Sequence, residues 1–249
     1  VTQPKALIDA EVYLYRAAAA AEYEVEWAEN DWQYLCRHDE ARASFQDTIT
    51  GFREALPDHR LVLALSDGRS FRYDIFPGYK ANRRKTRKPA GYPTLLRWLF
   101  TAATSRDWSV ELLPDVEGDD VLGILYEERD VIVSIDKDLL TIPGLHYRDE
   151  EFLEVSRVEA DRNFYGQALT GDTTDGYPGC PGVGKVGAAK LLAPCHTEQE
   201  MWQAVLGAYL KAGLSERVAI QQARCARILR AGEYEHTIGV PALWNPPNL

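Results

Sequence analysis

Five groups of carboxylates stand along the chain: Asp9; Asp67; Glu117-Gly118-Asp119-Asp120; Asp136-Lys137-Asp138; and Asp172-Thr173-Thr174-Asp175. Hard divalent ions such as Mg²⁺ take oxygen ligands and keep several waters, so a site for them needs open carboxylates and little His or Cys. In extended backbone, residues i and i+2 point the same way. Glu117 with Asp119, and Asp136 with Asp138, can therefore each aim two side chains at one place. Asp120, in the first turn of the following helix, is oriented differently and would serve a second ion or hold a ligand water. A single Asp-x-Asp is common in caps and loops; the signal is that all five groups fall at strand ends and adjoining turns. So many like charges raise one another's pKa and oppose folding unless cations neutralise them. Two ions roughly 4 Å apart would account for phosphodiester hydrolysis without a serine or histidine nucleophile.

Residues 76–88 form a dense basic segment, with Lys80, Arg83, Arg84, Lys85, Arg87 and Lys88 beside the aromatic Tyr79. Such a face suits phosphate contacts, and Tyr79 is placed to stack on a splayed base. The plainer reading is a solvated basic helix. A glycine-rich hairpin over 171–187 follows the last carboxylate pair. There Gly182 and Gly184 allow positive φ and close approach of a phosphate to backbone N–H groups, while Lys185 and Lys190 add charge. It lacks the spacing and the terminal Lys-Ser/Thr of a nucleotide P-loop.

The elements that must position these groups alternate. Residues 5–9, 60–66, 108–112 and 130–135 read as buried strands, and 71–75 as a short edge strand. Helical patterns cover 10 to about 56, with a break allowed within that stretch, 77–89, 93–105 and 118–129. This is a doubly wound α/β sheet, mostly parallel, in which ligands bind beyond the carboxyl ends of the strands. Beyond residue 155 the pattern is helical, with two helices over 198–232 and an extended proline-rich tail over 241–249. The division expected is 1–155 as the α/β core, carrying the basic segment at about 76–92, and 156–249 as a helical nucleic-acid-binding region.

Composition agrees with a soluble globular protein: 249 residues, 45% hydrophobic and 27% charged. The net charge of −10 argues against a polyanionic partner until its distribution is seen, because the cations crowd one segment. Cys36, Cys180, Cys195 and Cys225 form no Cys-x-x-Cys pair, which fits reduced thiols in a cytosol. No apolar run reaches the length of a membrane span and no leader pattern follows Val1, so a cytoplasmic protein without a membrane partner is expected.

In order, Leu7-Ile8-Asp9, Asp67, Tyr79-Lys80-Ala81-Asn82-Arg83, Glu117 to Asp120, Asp136 to Asp138, and Gly171 to Asp175 with Pro181-Gly-Val-Gly184 resemble the 5′-nuclease superfamily. That group includes flap endonucleases and the 5′-to-3′ exonuclease domains of bacterial DNA polymerases. The match covers residues 7 to 192. Asp172-x-x-Asp175-Gly-Tyr177, Lys88-Pro-x-Gly-Tyr92 and Ala226-Arg-Ile-Leu-Arg230 resemble the short stand-alone exonucleases of podovirus-type bacteriophages. The resemblance implies a resolvase-like (PIN-like) core, a helical arch around residues 80–88, and a helix-three-turn-helix element around 158–192. It implies 5′-to-3′ degradation of DNA and of RNA in RNA-DNA hybrids, at 5′ ends, nicks, gaps or flaps. Expected roles are phage DNA replication with its proteins, primer removal, recombination or host DNA breakdown, in the bacterial host cytoplasm. It further implies one ion at Asp9, Asp67, Glu117 and Asp119, another at Asp136, Asp138, Asp172 and Asp175, and Asp120 between them. Mg²⁺ is the expected ion, with Mn²⁺ as a substitute and K⁺ at the glycine hairpin; Lys80 and Arg83 are the catalytic cations that steer the scissile phosphate. Two positions depart from the widespread pattern: Gly176-Tyr177 replaces Asn-Ile, and Ala10-Glu11 replaces Gly-Ser. A DNA-binding protein that kept the scaffold without catalysis, and a metal-dependent ribonuclease of the PIN type, are the competing readings.

Overall fold

The computed structural model describes residues 3–85, 87–102 and 108–247, with the side chains of Arg84 and Lys85 left out. The chain runs β1 (Lys5–Asp9), α1 (Ala10–Ala20), β2 (Glu22–Ala28), β3 (Asp31–Cys36), α2 (His38–Ala55), β4 (Arg60–Leu65) and α3 (Arg72–Ile75). It continues through α4 (Tyr92–Ala102), β5 (Trp108–Leu112), α5 (Gly118–Leu125), β6 (Val131–Val133), β7 (Gly144–Arg148) and β8 (Glu151–Val155). Then come α6 (Arg157–Thr170), α7 (Lys185–Leu192), α8 (Glu198–Lys211), α9 (Glu216–Ala226), β9 (Tyr234–Glu235) and β10 (Val240–Pro241).

Six strands form the main sheet in the order β5-β4-β1-β6-β7-β8. The first five are mutually parallel and β8 pairs antiparallel with β7. After β1 the chain moves to β4 and β5 on one side; after α5 it returns to β6 on the other. The strand order thus reverses at β1, and the crevice beyond its carboxyl end is where such sheets bind ligands. All five residues of Lys5-Ala-Leu-Ile-Asp are buried, as a central parallel strand covered on both faces requires. Alternation divides them: Ala6 and Ile8 pack with Leu14, Phe45, Ile49, Leu95 and Leu99 of α1, α2 and α4. Leu7 packs with Val62, Val121, Leu122, Ile132 and Leu229 on the opposite face. A third core joins α6 to α9 around Phe164, Tyr165, Trp202, Val205, Tyr209 and Trp244.

Several local expectations are corrected. The helical stretch expected to about residue 56 does break, but the break is a β2–β3 hairpin, which turns at Asn30 with φ 64°. Glu22-Tyr-Glu-Val-Glu-Trp alternates polar and apolar residues with period two, and this outweighs the helical propensity of the alanine run before it. Residues 72–75 form a helical turn rather than an edge strand. The last helix of the core stops at Leu125, short of residue 129. β7 and β8 were not anticipated. The basic segment is a 3₁₀ turn over Ala81–Lys85 followed by irregular chain from Arg87, not a continuous helix; Thr86 lies outside the described residues. The expected end of the next helix at Ser105 also lies outside them, and the helix is described from Tyr92 to Ala102.

Candidate metal centre and nucleic-acid cleft

Asp9 ends β1 and caps α1, accepting from the Val12 amide at 3.4 Å, while its other oxygen accepts from the Ser134 hydroxyl at 2.8 Å. Glu117 is the N-cap of α5, in a reciprocal capping box with Asp120. Asp119, one residue into α5, accepts no hydrogen bond among the described residues. Asp136 caps the 3₁₀ turn Lys137–Thr141 and accepts from the Asp138 amide at 2.9 Å. Asp138 accepts from the Gln167 amide of α6 at 2.9 Å. Asp172 follows the α6 C-cap Gly171, at φ 66°, and folds its own turn by accepting from Thr174 and Asp175 amides. Asp9, Glu117, Asp119, Asp136, Asp138, Asp172 and Asp175 thereby line one cleft of about 590 Å³, together with Lys80, Arg83, Arg87 and Lys88.

The electrostatics of this cleft are uneven. Burial, followed by repulsion from Asp136 and Glu11, lifts Asp9 to about 6 despite its two hydrogen bonds. Burial and then Asp9, Asp136 and Glu117 push Asp119 well above the carboxylate range. Burial and then Asp136, with Asp172 and Asp175, lift Asp138 to about 6. Glu117 behaves oppositely: burial would raise it, but Arg72 and Lys80 outweigh burial and hold it low. Its Oε1 pairs with Lys80 Nζ, and its Oε2 accepts from the Tyr79 hydroxyl at 2.8 Å and from Arg72 at 3.2 Å. Arg83 donates to Asp175 at 2.5 Å.

Among the described residues, no three of these carboxylates close into a tight cage. An oxygen-rich, histidine-free ring with an open centre, in which Asp9, Asp119 and Asp138 have raised pKa values, fits ions that retain water, as Mg²⁺ does, better than a dehydrated tetrahedral site. The donor set therefore fits divalent cations.

Two expected ligands point elsewhere. Asp67 accepts from Gly68 at 2.7 Å and Asp115 at 3.0 Å, knitting the loop after β4 to the loop after β5, and lies outside the cleft lining. Asp120 is fully buried, held by both terminal nitrogens of Arg72 at 2.6 and 2.8 Å and by the Leu229 amide at 2.9 Å. It anchors the returning C-terminal segment, and its oxygens are committed. Tyr79, expected to stack on a base, is only 2% exposed and bridges Glu117 and Asp175 through its hydroxyl.

Sequence reasoning missed Glu11 and Ser66 in the cleft wall, where Ser66 donates to Glu11 at 3.1 and 3.3 Å. Their signal was adjacency to Asp9 and Asp67. It also missed Arg72, whose guanidinium reaches Glu117, Asp120 and the carbonyls of Cys225 and Arg227. The Gly176-Tyr177 departure has a packing reason: Gly176 has φ 77° and a Cβ there would sit 2.8 Å from the Gly78 carbonyl, while Tyr177 stacks on Tyr79.

A second groove of about 460 Å³ shares Lys137, Asp138 and Asp172 with the cleft and runs past Arg162, Asn163, Gln167 and Lys185 between α6 and α7. Gly182 has φ 78°, as expected, but Gly184 is an extended N-cap at φ −89°. A Cβ at either would meet nothing, so both present open backbone at the start of α7. Lys190 is exposed in the last turn of α7, outside the lining of that groove.

Residues 4–161 match the family model of the 5′-3′ exonuclease, N-terminal resolvase-like domain. The chain is 30% identical to the exodeoxyribonuclease of Enterobacteria phage T3, over 96% of this chain and 92% of that protein. It is also 30% identical to the exonuclease of Escherichia phage T7, over 96% and 93%. Among solved structures, T5 5′-exonuclease with bound zinc aligns over 90% of this chain and 93% of that one, with a TM-score of 0.61 at 15% identity. The chain belongs to the 5′-3′ exonuclease family.

Proposed function

We infer that this chain is a divalent-metal-dependent 5′-to-3′ exonuclease of DNA, acting also on RNA paired to DNA and on 5′ flaps. The single observation that carries the reading is the gathering of eight carboxylates, Glu11 among them, and the cations Lys80 and Arg83 around one open cleft at the strand-order reversal. Asp9, Glu117, Asp119, Asp136, Asp138, Asp172 and Asp175 are the residues that would hold Mg²⁺, with Mn²⁺ as a substitute. Bound there, the ions would supply activated water and stabilise the departing oxygen. Bound among these carboxylates, such ions would also offset the repulsion between the acidic cleft and a phosphodiester backbone.

The protein's own contribution is positioning. Lys80 and Arg83, already in the cleft, hold a phosphate against the carboxylate ring. Lys80 is fixed by its amide's 2.6 Å bond to the Asp175 carbonyl, and Asn82 bonds the Thr173 carbonyl at 2.7 Å. The basic segment and the Asp172–Asp175 turn thus form one wall. Arg87 and Lys88 extend the cationic side of the cleft. The groove past Lys137, Arg162 and Lys185 continues from the cleft along α6 and α7, and suits a duplex backbone gripped by N–H groups and charge, without base readout. Residues 156–249 serve in this reading as the duplex-gripping region, with K⁺ bound by the carbonyls of the 171–184 connection.

Digestion of 5′-labelled and 3′-labelled duplexes, with and without Mg²⁺, tests the reading. Mononucleotide release from the 5′ label first, only with divalent ion, is the expected result; release from the 3′ label first, or cutting undiminished in chelator, contradicts it. RNA-DNA hybrid and flapped substrates in the same gel extend the test to substrate range, and exchange of K⁺ for Li⁺ tests the monovalent site through duplex affinity.

A further inference from the structure

The β2–β3 hairpin is the part of the fold that the activity leaves unused. Residues 22–36 carry five carboxylates, Glu22, Glu24, Glu26, Glu29 and Asp31, and no lysine or arginine. Glu22, Glu24 and Glu26 alternate along β2 and so share one face of the hairpin. That face meets the end of the basic segment. Both terminal nitrogens of Arg87 grip the Glu22 carboxylate, at 2.7 and 2.5 Å, and the Ala90 amide donates to it at 2.5 Å. Beneath the guanidinium lies the Tyr34 ring, 3.7 Å from centroid to Cζ, which fixes the plane of the fork.

A guanidinium fork plus a backbone N–H converging on one anion is the donor pattern that binds a phosphodiester. Here the two Glu22 oxygens occupy the positions that two phosphate oxygens would take. Arg87 is itself half exposed and lines the carboxylate cleft, so a strand entering that cleft can reach it. We propose that Arg87 and the Ala90 amide form a phosphate-binding subsite for the incoming nucleic-acid strand, and that Glu22 fills it in the free protein as a tethered competitor. The inference rests on the nuclease reading of the cleft, which supplies the strand. Arg87 is half in water, so an incoming phosphate can approach the fork and exchange for the carboxylate without unfolding the hairpin. The hairpin then acts as a latch that weakens binding of any ligand unable to displace a carboxylate, and sharpens the preference for polyanions.

The test is binding of a duplex with a 5′ single-stranded tail, followed by fluorescence anisotropy in Ca²⁺ between about 50 and 200 mM salt. Wild type, Glu22→Gln, Arg87→Gln and the double variant are compared. Glu22→Gln is expected to tighten binding roughly three- to tenfold and to lower KM in Mg²⁺ with kcat unchanged. Arg87→Gln is expected to weaken binding and reduce the slope of log K against log salt by about 0.7, the share of one single-strand phosphate. In the Arg87→Gln background, Glu22→Gln should do nothing. Arg87→Lys, which keeps charge but loses the fork, should fall between wild type and Arg87→Gln. Unchanged or weaker binding by Glu22→Gln overturns the subsite, as does tightening that persists undiminished without Arg87. A wild type that cuts DNA while Glu22→Gln leaves affinity unchanged overturns the subsite alone. A wild type that cuts nothing with any divalent ion overturns the nuclease reading and this inference with it.

Discussion

The two sides of the cleft solve the same electrostatic problem in opposite ways. On one side Asp9, Asp119 and Asp138 lie among other carboxylates with few cations, and their pKa values are raised by burial and by that repulsion. On the other, Glu117 and Asp175 are met by Arg72, Lys80, Arg83 and the Tyr79 hydroxyl. Two residues in one helical turn, Glu117 and Asp119, fall on different sides. The difference teaches that carboxylates in one cleft need not share a role. The uncompensated side is built to be completed by divalent cations. The compensated side is already paired with cationic side chains, keeps its carboxylates ionised for an ion they can share, and ties the sheet to the basic segment and the α6–α7 turn.

Breaking the uncompensated side should cost the most activity. Asp138→Ala and Asp119→Ala are each expected to lower turnover by on the order of 10³-fold while leaving duplex affinity within a few-fold, measured by single-turnover cleavage and anisotropy. Undiminished cutting by either would show that the raised pKa values mark nothing functional. On the compensated side, Lys80→Ala should cost turnover less, roughly 10²-fold, because it removes a phosphate contact and leaves the ion ligands in place.

Arg72→Met probes what anchors the compensated side. It strands Asp120, which is fully buried and ion-paired with no other cation among the described residues, and should destabilise the fold by about 3–5 kcal/mol in denaturant titration. A variant as stable as wild type would mean that the pairing with Asp120 is dispensable.

The smallest expected effect is a pH dependence confined to the uncompensated side. Asp9 and Asp138 sit at about 6 in the fold against an ordinary value near 3.8. Between those values the folded protein binds more protons than the unfolded chain, so stability falls as pH rises through 6. In chelator, the thermal midpoint should therefore rise as pH is lowered from 7 to 5, by roughly 2–4 °C per kcal/mol gained. Mg²⁺ at pH 7 should restore the same gain. A midpoint that falls steadily on acidification in chelator would contradict this.

Much of the uncompensated side was legible in the sequence, because strand-ending aspartates of a doubly wound sheet must converge. Asp9 and Asp136 follow from that rule, and Asp119 and Asp138 from their two-residue spacing to Glu117 and Asp136, although the structure places both in the first turn of a helix or 3₁₀ turn rather than in extended chain; the same rule also pointed to Asp67, which lies outside the cleft lining. Asp67 and Asp120 lie outside the cleft lining, which residue type and spacing could not show because they do not reveal hydrogen-bond partners. Asp67 spends its oxygens on two loop amides, and Asp120 spends its own on Arg72, a residue 48 positions earlier. Tyr79 reads as an aromatic beside cations, yet Tyr177, almost a hundred positions later, buries it. The hairpin was readable in the alternation of residues 22–27 but was masked by the helix-forming run in front of it. What the sequence withheld was long-range pairing; what it showed was local pattern.

Anomalous scattering from crystals soaked in Mn²⁺ tests the asymmetry most directly. The account predicts density for ions among Asp9, Asp119, Asp136 and Asp138, with Glu117 keeping its bonds to Lys80 and Tyr79 or releasing one oxygen toward them. Ions bound instead at Asp67 or Asp120, or no ion between the uncompensated carboxylates, would contradict it.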